Sequence, residues 1–135
     1  MSISPSKGLP LRVLNEIDVF LEEFYPMSQR AGELLAEIRM EKTQVRSLEN
    51  IVVSTRRFSE ILNFIKNQAG KEKKDNKWGK AADLLLEQLD QIEQKAKSLA
   101  EGEPAKALEI KMHASQGWIR QVVAHYLYEK KRAGD

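Results

Sequence analysis

The 135 residues, 41% of them hydrophobic, suit one domain with one core, and charges of both signs, 31% of the chain, exclude a disordered polyelectrolyte. A formal net charge of +2 excludes a global electrostatic field, so affinity for nucleic acid would have to come from local patches. Cysteine is absent, which excludes disulfides and thiolate catalysis, and no run reads as a membrane span or signal peptide, so a cytoplasmic protein is expected.

Residues 1–8 read as a short flexible arm, residues 9–132 as a single helical domain and residues 133–135 as a short tail. Pro10 suits the first turn of a helix that carries Leu11, Leu14, Ile17, Val19, Leu21, Phe24 and Tyr25 at helical spacing. Pro26 is expected to end that helix, with Ser28 capping a second one whose apolar face is Leu34, Leu35 and Ile38. The second helix ends near Met40 or runs on, and Thr43 is a candidate cap for the third. In the third, Val45, Leu48, Val52, Phe58, Leu62 and Ile65 form one stripe that Gly70 stops.

A polar, basic loop over residues 71–77 follows. Trp78 and Gly79 lead into a fourth helix with Leu84, Leu85, Leu89, Ile92, Ala96 and Leu99 facing inward. Gly102 and Pro104 separate it from a fifth, along which Leu108, Met112, Ser115, Ile119, Val122 and Tyr126 form a narrow seam for partner helices. Trp118, Tyr126 and Tyr128 fit either a core or a protein interface. No segment alternates with a period of two, so the expected fold is all-α, a compact bundle of about five helices.

Catalytic motifs are scarce. The sequence has no glycine-rich phosphate loop, no helical zinc motif and no serine or cysteine nucleophile context. Its two histidines, His113 and His125, lie more than three turns apart on one helix, too far to ligate one ion, so neither metal nor cofactor is expected. Glu22 with Glu23, and Glu101 with Glu103, read as solvated helix faces rather than acid–base pairs.

Arg120 and His125 offer the one catalytic alternative. An Arg, four residues and a His near the end of a helical bundle resemble the small metal-independent ribonucleases of the higher-eukaryote-and-prokaryote nucleotide-binding (HEPN) class. There His would move a proton near neutral pH and Arg would stabilise charge on the phosphate. That family usually has Asn or another short polar residue after the Arg, where this chain has Gln121. The bland alternative is a hydrogen-bonded His beside the seam and a surface Arg.

A larger basic constellation comprises Arg46, Arg56, Arg57 and Lys66, then Lys71, Lys73, Lys74, Lys77 and Lys80, with Trp78 inside it. Such cations contact phosphates with little sequence preference, and Trp78 either stacks on a base or caps the bundle.

Three segments resemble, in order, the small subunit of type III-A CRISPR interference complexes. Thr43, Gln44, Val45 and Arg46, then Leu48 and Val52, look like the start of one of its helices. Ala69, Gly70 and Lys71 are similar to its Ala-Gly-Arg turn, with Lys for Arg. Val122, Val123, Ala124, His125, Tyr126, Leu127 and Tyr128 resemble its C-terminal helix, with His125 where Tyr is common. The related type III-B small subunit shares the general layout.

The resemblance implies a non-catalytic subunit in antiviral defence. It would stack head to tail with its own copies beside larger subunits, lining the guide RNA–target RNA channel. Arg46 and Lys71 would then touch phosphate, while Arg56, Arg57, Lys73 and Lys74 are candidates by charge alone. Three functional classes follow: this RNA-lining subunit, the Arg120/His125 ribonuclease, and an unrelated helical interaction module.

Overall fold

The computed structural model describes residues 8–71 and 77–134. Amphipathic patterning yields five helices in chain order: α1 (Leu11–Glu37), α2 (Lys42–Ser54), α3 (Phe58–Lys71), α4 (Lys77–Ala100) and α5 (Pro104–Arg132). They pack together in one compact all-α arrangement, with no strand among the described residues.

Several helix boundaries differ from the sequence expectation: Gly70 lies inside α3 and does not stop it, and Lys71 and Lys77, expected in the loop, belong to α3 and α4. Pro26 lies inside α1 and does not end it, and Ser28 is a buried interior residue instead of a cap. Proline removes one helical hydrogen bond, the one to the carbonyl of Glu22. Both Glu22 and Pro26 face solvent, so water can take that carbonyl, while Ala31, Gly32 and Leu35 beyond it are buried. Packing of the second half of α1 therefore outweighs the local break.

A further difference is that the expected third helix is two. After Val52 the next buried apolar residue is Phe58, a step that no helical face accommodates. The chain turns there: Thr55 is extended, its Oγ1 accepts the Arg57 N–H at 3.2 Å, and its hydroxyl bonds Glu60. This serine/threonine-type turn closes α2 and opens α3.

Helix α1 stops without glycine. Arg39 adopts a left-handed φ of 60°, its N–H bonds the Ala36 carbonyl at 3.0 Å, and the Met40 N–H bonds the Leu35 carbonyl at 3.0 Å. This is a Schellman closure, and Met40 and Leu35 are both buried beneath it. Thr43 is not a cap; it lies within α2, which begins after Glu41.

Helix α5 touches all four others, and its packing against α1 is the most extensive in the molecule. Hence Ile110, Ala114, Trp118, Val122 and Val123 are buried on several sides of the helix instead of along one stripe. The seam expected to receive a partner helix is mostly filled internally: Met112, Ser115, Ile119, Val122 and Tyr126 are buried, and only its first residue, Leu108, is exposed. A polar thread crosses this core. The Trp118 indole donates to Gln88 Oε1 at 2.8 Å, and Gln88 Nε2 donates to the Met27 carbonyl at 2.8 Å. Trp118 and Tyr126 are thus core, the latter donating to the Met40 carbonyl, whereas Tyr128 is 61% exposed.

Candidate nucleic-acid interface

Helices α2 and α3 run antiparallel, and this hairpin positions most of the candidate cations. Gln68, one turn before the end of α3, donates to Gln44 in the first turn of α2 at 2.9 Å. Arg46 and Lys71 therefore share one end of the hairpin. Arg56 and Arg57 occupy the turn at the other end, ten residues of α2 and its exit away, about 15 Å at helical rise. The candidates form two groups, not one patch; Lys73 and Lys74 lie outside the described residues.

Each arginine has a distinct setting. Arg46 is exposed and paired with Glu49 at 2.8 Å. Arg57 pairs with Glu60 at 2.5 Å. The Thr55 hydroxyl, and after it the Arg57 guanidinium, hold the Glu60 carboxyl below its ordinary value of 4.5. Arg56 is exposed and lines an open cleft with His113, Glu109 and Gln116. That cleft gathers a cation and an imidazole from remote segments, a juxtaposition that no spacing in the sequence signals.

Around the end that carries Arg46 and Lys71, one basic group is structural. Lys77 donates to the Arg39 carbonyl at 2.9 Å and lies 3.7 Å from Glu41, tying α4 to the close of α1. Trp78 is only 3% exposed, its indole N–H bonds Gln44 Oε1 at 3.2 Å, and its ring meets Phe64 edge-on. It belongs to the core, which removes the stacking role and leaves the capping one. Lys71 is exposed beside a polar pocket lined also by Glu41, Gln44, Gln68 and Trp78. Gln44 and Gln68 carry no recognisable chemical motif in sequence, and only the hairpin brings them together.

Arg120 and His125 of the catalytic alternative both lie on α5. Five residues along a helix rotate the side chains by about 140°. Arg120 is exposed, whereas His125 is half-buried and shares a hydrogen bond of 2.8 Å with the Tyr25 hydroxyl of α1. Among the described residues no group of three His, Asp or Glu side chains could hold a metal ion, and no helix is long and apolar enough to cross a membrane.

Compared with protein-family models, curated proteins and solved structures, the chain matches none.

Proposed function

We propose that the chain is a non-catalytic small subunit of a type III CRISPR effector ribonucleoprotein, working in the cytoplasm. In this reading its copies stack head to tail, contact the larger subunits, and hold the backbones of guide RNA and target RNA through phosphate contacts. One observation carries it: Arg46 and Lys71, far apart in sequence and both singled out by the resemblance, stand exposed at the same end of the α2–α3 hairpin. Cations so grouped bind phosphate without reading sequence, which base pairing does instead. The Lys in place of Arg at position 71 gives up bidentate geometry and acts as a point charge.

Apolar surface on α1 supports the assembly half of the reading. Leu11 is 72% and Val19 57% exposed, along an open groove shared with Phe20 and Leu99. Exposed apolar side chains along one groove suit packing against another subunit.

The test is gentle affinity purification of the tagged protein from its own cells, with retained RNA resolved on a denaturing gel. A discrete ladder of short RNAs sharing one 5′ end, with several larger proteins, is the expected outcome. A lone protein without RNA refutes the assignment.

A further inference from the structure

The pocket between the ends of α2 and α3 and the first turn of α4 holds about 340 Å³ and is lined by Glu41, Gln44, Gln68, Lys71 and Trp78. Its hydrogen bonding is fixed from behind. An indole N–H can only donate, so the Gln44 atom 3.2 Å from Trp78 must be the amide oxygen. The same oxygen receives the Gln68 NH₂ at 2.9 Å, which fixes that amide as well.

Two groups are left over on adjoining side chains. The Gln44 NH₂ is a donor and the Gln68 carbonyl oxygen an acceptor, and neither has a hydrogen-bond partner among the described residues. Lys71 stands beside them with no ion pair among the described residues, and the Glu41 carboxylate is countered by Lys77 at 3.7 Å. A donor next to an acceptor, held rigidly, matches the edge of a nucleobase, and the adjacent ammonium matches a phosphate.

We infer that this pocket binds one unpaired nucleobase, edge-on to the Gln44 and Gln68 amides, with its neighbouring phosphate on Lys71. The ligand presupposes the RNA-bound role proposed above. It adds a base contact to a subunit otherwise limited to the backbone. The same chemistry occurs in a free nucleotide, so the source has to be distinguished by experiment.

The full chain is titrated at low salt with a short single-stranded RNA and with an abasic strand of equal length and charge, nucleoside monophosphates serving as competitors. Wild type is expected to prefer the base-bearing strand about tenfold. Gln44→Glu keeps an oxygen for Trp78 and Gln68 but replaces the free NH₂ with a second oxygen. It should bring the ratio of the two affinities close to one, and the ratio cancels the effect of added charge common to both strands. Lys71→Ala should weaken both strands alike and keep the ratio. An unchanged melting temperature in each variant shows that the fold persists.

Equal binding of the two strands by wild type overturns the base pocket and leaves the backbone-binding role standing. A Gln44→Glu protein that retains the tenfold ratio overturns it too. Failure of both strands to bind overturns the pocket and the RNA-bound role together. Displacement of the strand by equimolar monophosphates supports the base pocket with a free nucleotide as its ligand, and overturns only the RNA source.

Discussion

Two glycines show how tightly α1 and α5 approach, and how differently two similar substitutions should behave. A Cβ on Gly32 would lie 2.6 Å from the Val122 carbonyl oxygen and 2.9 Å from the Tyr126 nitrogen, both backbone atoms that cannot step aside. A Cβ on Gly117 would meet the Leu21 Cδ1 at 2.5 Å, the far end of a side chain that can rotate. In either helix Ala is intrinsically better than Gly by about 1 kcal/mol. For Gly32→Ala the overpacking, about 1–3 kcal/mol, exceeds that gain, and the helices must separate. For Gly117→Ala a rotamer shift of roughly 1 kcal/mol nearly cancels it. Urea denaturation should therefore show clear destabilisation for the first and almost none for the second; equal effects would mean that α1 is not held against the α5 backbone at Gly32.

At the scale of single elements, what the sequence conveyed and what it hid have separate physical causes. Apolar periodicity made α4 and α5 legible, and Pro104 begins α5 as its missing N–H allows. Pro26 misleads because a local rule was opposed by burial of Gly32 and Leu35 against a distant helix, which no local window contains. The break after Ser54 was partly visible, as the irregular step from Val52 to Phe58. Its chemistry, a Thr55 hydroxyl shared between the Arg57 amide and Glu60, needs the fold to be recognised. The candidate site divides the same way: charge placed Arg46 and Lys71 in a larger basic set from which only the resemblance singled them out, whereas the orientation of Gln44 depends on Trp78, a residue of another helix.

Two element-scale predictions follow from these turns. Arg39 holds a left-handed φ of 60° that costs a non-glycine residue about 1 kcal/mol. Arg39→Gly keeps the carbonyl that Lys77 uses and should raise the melting temperature by a few degrees. A drop would mean that the guanidinium contributes to the fold. Glu60 titrates below its ordinary value of 4.5, chiefly through Thr55 and then Arg57, so its charged form favours the folded state. That contribution is complete above the unfolded pKa and is lost as pH falls through the lower, folded one. Wild type should thus exceed Glu60→Gln in stability at pH 7, with the gap closing in acid below pH 4.5. A gap that persists under acid conditions would assign the effect of Glu60 to something other than its charge.

For the whole molecule, a net charge of +2 gives little general attraction for RNA, so the position of each cation decides what it does. The hairpin supplies a comparison within one protein. Arg46 and Lys71 share an end that also carries the amide pocket, while Arg56 and Arg57 lie about 15 Å away at the turn between the helices. A cation seated on a phosphate releases condensed counterions, and removing one such cation reduces the salt slope of single-strand binding by about 0.7. The double substitution Arg46→Ala with Lys71→Ala should therefore lower affinity for unrelated RNA sequences alike and flatten the slope by about 1.4, twice the value for one cation. Arg57→Ala should change the slope less than Arg46→Ala does, because both arginines are ion-paired, with Glu60 and Glu49, but Arg57 stands at the far end of the hairpin from Lys71 and the amide pocket. Affinities measured across a salt series, with two unrelated sequences, separate the cases. A weakening confined to one sequence would make Arg46 a reader of bases, and an unchanged slope in the double variant would move the RNA to another face of the molecule.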